Sequence, residues 1–247
     1  MLLAIVLSLL IGLTLGLLGG GGSILTVPIL VYALGVEPKE AIATSLVVVG
    51  VTSLVAALQH ARAGNVDLRT GLVFGVAGMV GAYGGGILAG FFSATALLLI
   101  FAAIMVATAV GMLRGRREVA GAHAGLPVAR VLLDGLVVGL VTGLVGAGGG
   151  VLVVPALALL GGLPMHRAVG TSLLVIAMKS FAGLAGHVTH VEVDLQLAAV
   201  VTAAAVTGSF AGAALAPRVP AQRLRKGFAW FVLAMALYLI VQQIRGI

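Results

Sequence analysis

The sequence predicts an all-α polytopic membrane protein built from two inverted repeats, each a glycine-broken helical hairpin followed by three transmembrane helices. Three observations carry that expectation. Of 247 residues, 61% are hydrophobic and only 9% charged, whereas a soluble domain carries roughly a quarter charged residues. The apolar residues form continuous runs instead of alternating, which argues against a porin-type barrel. The chain also aligns with itself, without gaps, at a constant offset of 127 residues.

The repeat sets residues 12–90 above residues 139–217, and about a third of the aligned positions are identical. Gly19-Gly20-Gly21-Gly22 falls on Gly146-Ala147-Gly148-Gly149, and Val27-Pro28 on Val154-Pro155. Thr44-Ser45-Leu46 falls on Thr171-Ser172-Leu173, His60 on His187, and Val66-Asp67-Leu68 on Val193-Asp194-Leu195. Two unrelated apolar chains match in Leu, Val and Ala, but not in Pro, His, Asp and Thr-Ser together. Tandem duplication is the reading, and duplicated halves are characteristic of transporters. The expected division is a first repeat over 1–113, a basic cytoplasmic linker over 114–130 and a second repeat over 131–247.

Each half opens with a long apolar stretch, 2–34 or 131–160, interrupted by its glycine cluster. An apolar run follows (41–58, 168–185), then a polar link with His and Asp (59–68, 186–195). Two more apolar runs close each half (69–91 and 94–113; 196–216 and 224–244). Asp67 and Asp194 stand immediately before apolar helices, so N-capping is their default role. As helices, residues 2–18 and 24–34 would span about 25 Å and 16 Å, and the second is too short for a hydrocarbon core of about 30 Å.

Positive charge decides how the broken stretch lies. If it crosses once, the basic residues outside the runs divide almost evenly between the two sides. If it is a hairpin, one side holds Arg62, Arg69, Arg114, Arg116, Arg117, Arg130, Arg167, Arg218, Arg223, Arg225 and Lys226, and the other keeps only Lys39 and Arg245. That asymmetry is the one a membrane topology generates. It predicts inverted halves with both termini outside.

The net charge of +7 therefore reports topology; without interleaved aromatics it does not point to nucleic acid. With no cysteine, disulfide, thiol and cysteine–zinc chemistry are excluded. The N-terminus lacks a basic leader region and reads as retained. No GxxxxGK[ST] run occurs, and no acidic residue follows the second glycine cluster at the dinucleotide spacing.

Glycine within an apolar run costs helix stability, about 1 kcal/mol each, and irregular backbone at membrane depth is tolerated only where it is buried or lines a cavity. Helices starting near Ser23 and Val151 would aim unpaired N–H groups at the turns, which favours an anion. The candidate substrate-binding residues are accordingly Gly20, Gly21, Gly22, Ser23, Gly148, Gly149 and Gly150. The opposing C-terminal ends of the preceding helices would weaken that preference. Thr44, Ser45, Thr171 and Ser172 offer hydroxyls to a substrate oxygen, or back-bond to their helices. His60 and His187 are candidates for proton coupling, since imidazole titrates near neutrality. Lys179 departs from the repeat, standing where the first half has Thr52. An ammonium midway along an apolar run is expensive in lipid and usually faces a cavity or a partner; it is a candidate both for anion binding and for proton coupling. No metal ligands and no cofactor are expected.

The glycine-rich turn followed by Val-Pro-Ile-Leu, Ala43-Thr44-Ser45-Leu46, the duplicated His-x6-Asp link and Arg225-Lys226-Gly227-Phe228 together resemble the TauE/SafE (TSUP) family of sulfite exporters. The resemblance covers nearly the whole chain and sets the family's repeated motifs on Gly19 to Pro28, Thr44-Ser45, Gly146 to Pro155 and Thr171-Ser172. It implies a multi-pass permease of the prokaryotic inner membrane that moves sulfite, sulfoacetate or related organosulfur anions without a prosthetic group. Its partners would be the small anion and the bilayer, with no nucleic acid; a homo-oligomer is compatible with the sequence. An anion channel of the same architecture is the nearest alternative. A haem protein with His60 and His187 as axial ligands, or an intramembrane protease, is a more distant one.

Overall fold

A computed structural model describes residues 2–18, 21–114, 128–146, 153, 157, 163, 165–215 and 221–245. Every regular element among them is helical. We number them α1 (Leu2–Leu18), α2 (the helical segment 21–33), α3 (Pro38–Arg62), α4 (Leu68–Ala89), α5 (Ala94–Leu113), α6 (Val128–Val145), α7 (Met165–His187), α8 (Leu195–Leu215) and α9 (Ala221–Arg245). Five of these, α3, α4, α5, α7 and α8, contain stretches long and apolar enough to cross a membrane; α1, α2, α6 and α9 contribute shorter ones. The linker 115–127 and the second glycine turn, 147–152, lie outside the described residues.

Local chemistry fixes the helix starts. The Glu37 carboxylate accepts from the amides of Lys39 and Glu40, at 3.1 and 3.2 Å, and Pro38 follows as the first helical residue. This pair begins α3 three residues ahead of the apolar run, so Thr44 and Ser45 lie in its second turn. Asp67 caps α4 through the amide of Thr70 at 2.8 Å, and Asp194 caps α8 through Gln196 and Leu197 at 2.9 and 3.0 Å. Both aspartates thus hold the capping role expected from their positions.

Segment α2 is irregular. A 3-10 turn over Gly21–Leu25 leads into one α turn, Thr26–Pro28, and a π turn, Ile29–Ala33. Helical geometry starts at Gly21, two residues ahead of the expected Ser23. A Cβ on Gly22 would run into the backbone of Leu15, so the chain folds back onto α1 directly after the break. Val27 and Leu30 are fully buried.

Glycines set the helix seams, and the seams obey the repeat. A Cβ on Gly12 would meet the carbonyl of Ala205, and one on Gly16 that of Ser209. At the positions 127 residues away, Gly139 meets Gly78 and Gly143 meets Ala82. The reverse contacts agree: Gly208 and Gly212 press on Leu9 and Leu13, while Gly81 and Gly85 press on Leu136 and Leu140. Helix α1 therefore packs parallel to α8, and α6 parallel to α4, in one shared register. Each half's first helix is seated on the third long helix of the other half. Close backbone approach through small residues is how helices associate where lipid removes the hydrophobic drive.

The repeat-equivalent helices α3 and α7 pack on each other in opposite directions. Gly50 lies against Ser180 and Phe181, and Gly183 against Leu46; further along, Gly170 lies against His60 and Asn65. Arg62, Arg69 and Arg167 consequently occupy one end of the molecule, and Lys39 occupies the other, near Gly90, whose carbonyl accepts from its ammonium at 3.4 Å. Large apolar side chains such as Phe91, Val80, Leu133 and Trp230 are exposed around the perimeter. In a chain this apolar, they form the surface that meets acyl chains.

Candidate substrate site

The site grows out of the C-terminal end of α6. A helix leaves its last carbonyls without intrahelical donors, and α6 ends buried in the protein at Leu144 and Val145, where water does not serve. Three contacts tie these groups off. The amide of Gly146 donates to Thr142 at 3.0 Å. His187, fully buried on α7, donates from Nε2 to the carbonyl of Gly143 at 2.8 Å, which places its proton on Nε2. Ser45, fully buried on α3, shares its hydroxyl proton between its own helix at Ile42 and the carbonyl of Gly146, each at 2.7 Å. Gly146 has φ +70, and a Cβ there would meet Ile42 and Ser45 Oγ at 2.8 Å. Only glycine suits both the turn and the contact. Donors from two other helices thus neutralise the partial negative charge at this helix end, which would otherwise oppose an anion at the turn.

Lys179 reaches the same helix one turn earlier, at Thr142. It is fully buried, its methylene stem lies along Gly78 of α4, and its ammonium donates to Thr142 Oγ1 at 3.4 Å. Among the described residues no carboxylate forms an ion pair with it, Asp134 of α6 included. An ammonium has three N–H donors, and this one spends a single long contact. Thr142 itself back-bonds to Val138 and Gly139 at 2.7 and 3.1 Å. Sequence reading passed over Thr142, although the signal that exposed Lys179 was available: Thr142 stands where the first repeat has Leu15.

The duplicated hydroxyl pairs have diverged. Thr171 Oγ1 accepts from the amide of Asp67 at 2.9 Å, holding the first half's polar link over the start of α7. Thr44, its equivalent, is fully buried and its hydroxyl finds no partner among the described residues. Ser172 donates to its own helix at Val169, at 2.7 Å, as Ser45 does at Ile42. Ser23 is fully buried, and Gly21 and Gly22 form the start of α2. Gly20, Gly148, Gly149 and Gly150 lie outside the described residues.

A second equivalent pair escaped the sequence reading. Ser53 and Ser180 are both buried, Ser180 against Gly50 of α3 and Ser53 at the equivalent place on α3, and among the described residues both hydroxyls lack a partner; so does that of Thr52. The signal was identity in the repeat register. Helical hydroxyls in lipid ordinarily back-bond to the preceding turn, as Ser8, Thr14, Thr207 and Ser209 do here. Leaving one buried and unpaired costs about 1–3 kcal/mol.

The imidazoles are far apart. His60 is half-buried near the start of α7, beside Gly170, whereas His187 ends that helix, 5.6 Å ring to ring from His190. Seventeen residues of helix separate Gly170 from His187, about 25 Å at 1.5 Å per residue. One haem iron cannot bridge His60 and His187.

A sequence profile described as Sulfite exporter TauE/SafE matches residues 4–239. The chain belongs to the TauE/SafE family. It is 35% identical over 238 residues to a "Probable membrane transporter protein" of Xylella fastidiosa (strain Temecula1 / ATCC 700964), covering 94% of this chain and 91% of the relative. It is 28% identical to "Probable membrane transporter protein YdhB" of Bacillus subtilis (strain 168), covering 89% and 91%. A match of 30% to "Probable membrane transporter protein MJ0441" of Methanocaldococcus jannaschii covers 76% and 72%. No solved structure gives a significant match. This TauE/SafE protein is a multi-pass membrane transporter of prokaryotic type.

Proposed function

We propose that this protein is a secondary transporter for small anions, with sulfite, sulfoacetate and related organosulfur compounds as the substrate class. The observation that carries the reading is Lys179: a fully buried ammonium one helical turn ahead of Gly146, with one 3.4 Å hydroxyl contact to Thr142 and no carboxylate in ion-pair contact among the described residues. A cation kept at membrane depth without a partner is expensive, and a transported anion is the partner that repays it. Capping of Gly143 and Gly146 supports the same sign of charge, because it removes the carbonyl ends that would repel an anion.

The two halves, 1–113 and 131–247, lie inverted in the bilayer, joined by the cytoplasmic linker 114–130. Two observations support this: α3 and α7 run in opposite directions, and Arg167 gathers with Arg62 and Arg69. Under the positive-inside rule that end faces the cytoplasm, and both termini face outside. Substrate binds between the hairpin turns, Gly20–Ser23 and Gly148–Gly150, with Lys179 and hydroxyls from Thr44, Ser45, Thr171 and Ser172 at its borders. His60, His187 and Lys179 are the groups available for proton coupling. The buried, charged interior suits a transporter better than an enzyme.

A thermal-shift screen of the purified protein with sulfite, sulfate, thiosulfate, sulfoacetate and taurine tests the substrate class. A ligand that binds the folded state raises its apparent stability. Stabilisation by sulfite or sulfoacetate, and not by zwitterionic taurine, is the expected result. Stabilisation by none of the anions would remove the reading.

A further inference from the structure

The geometry points to a central oxyanion site at the crossing of α3 and α7, in which Ser53 and Ser180 give equivalent hydroxyl donors from the two halves and Lys179 supplies the charge. This rests on the anion reading above and moves its main polar contacts away from the helix starts.

The position follows from the repeat. Gly50 of α3 lies against Ser180, which corresponds to Ser53, and Leu46 lies against Gly183, which corresponds to Ala56. Both pairings centre on residues 51–52, so the approximate two-fold axis relating α3 to α7 passes beside Val51 and Thr52 on one helix and Met178 and Lys179 on the other. Ser53 and Ser180 flank that axis. Polar positions on the two helices form three levels: Thr44 and Ser45 with His187 at one end, His60 with Thr171 and Ser172 at the other, and Thr52, Ser53, Lys179 and Ser180 midway. Neighbouring levels are eight residues apart on α3, about 12 Å along a helix.

The middle level is the one whose hydroxyls are least engaged. At the ends, Ser45, Ser172, Thr171 and His187 already hold backbone groups. In the middle, Ser53, Ser180 and Thr52 are buried without partners among the described residues and lack the back-bond that the buried serines Ser8, Ser45, Ser172 and Ser209 make. They are donors in waiting. Lys179 shares their depth, and its long stem lets the ammonium leave Thr142 for a ligand held at the crossing. An oxyanion with several oxygens can accept from both serines and from the ammonium together, and the axis delivers the same serine donor to it from each half. Thr142 takes back the ammonium when the anion departs.

Alanine variants test this with a signature that a structural role would not produce. Sulfite and sulfoacetate binding is measured by calorimetry on the purified protein, for wild type, Ser53→Ala, Ser180→Ala, the double variant, and Ser209→Ala as a control whose buried hydroxyl is already bonded to Val206. The thermal midpoint without ligand is recorded for each. Each of the two central variants should bind about 10-fold or more weakly, since a hydrogen bond to a charged group is lost. Each should also melt at or above the wild-type temperature without ligand, since an unpaired buried hydroxyl has been removed. Ser209→Ala should bind as wild type does. Wild-type affinity in the double variant would overturn the central site while leaving the anion reading intact. A wild-type protein that binds neither anion would overturn both.

Discussion

Ser45 of the first half donates its hydroxyl proton to the carbonyl of Gly146, just past the C-terminal end of α6 in the second half, at 2.7 Å. The bond crosses between repeats 101 residues apart. It makes the turn of one half depend on a helix of the other, so the site belongs to neither half alone.

Ser45→Ala removes that cap and strands a buried carbonyl, at a cost of about 1–3 kcal/mol. The variant should melt below wild type in a detergent thermal scan. Ser172→Ala, whose hydroxyl bonds its own helix at Val169, serves as the comparison and should melt closer to wild type. Equal midpoints would show that the inter-half contact contributes nothing to stability.

The glycine turns are constrained more severely. Gly146→Ala places a methyl at a backbone conformation with φ +70 and within 2.8 Å of Ser45 Oγ and of Ile42. Transport should be lost with the protein still inserted. Gly22→Val, which drives a branched side chain into the backbone of Leu15, should do the same for the first hairpin. Normal flux in both variants would show that the turns tolerate what the packing forbids.

Much of this architecture was legible in the sequence because duplication wrote it twice. Val-Pro, Thr-Ser, His and Asp in register pointed to the duplication, and Arg62, Arg69 and Arg167, expected on one side, do lie at one end. The seams follow the same register: Gly12 on Ala205 is repeated as Gly139 on Gly78. Helix starts were less legible, since the apolar run around α3 hides the earlier cap made by Glu37 and Pro38. The candidate site was less legible. Lys179 stood out by breaking the repeat, whereas Ser53 and Ser180 did not, because a serine in an apolar helix looks the same whether its hydroxyl bends back to the helix or points at a partner helix. Ser209 is buried as well, and only the lack of a bond separates Ser53 and Ser180 from it. Nor does sequence reveal that Thr171 holds Asp67 while Thr44 holds nothing among the described residues. That difference accompanies Gly170, where a Cβ would strike the carbonyl of Asn65; the first half has Ala43 at the equivalent place.

Topology has its own test in a chain without cysteine. Ala120→Cys and Gln222→Cys should react with an impermeant thiol reagent from the cytoplasmic side only, and Val36→Cys from the outside only. Inverted halves require 120 and 222 to share a side. Labelling of 120 and 222 from opposite sides would restore two halves pointing the same way.

The central claim is that a buried lysine serves a transported anion, and flux measures it most directly. Wild type, Lys179→Met and Lys179→Arg reconstituted in liposomes are compared for sulfite and sulfoacetate movement across a range of pH. Wild type should carry at least one of these anions. Lys179→Met should lose most of that flux, and Lys179→Arg should retain binding yet turn over slowly, because a guanidinium hardly releases its proton. Lys179→Met with wild-type affinity, rate and pH dependence would contradict the account.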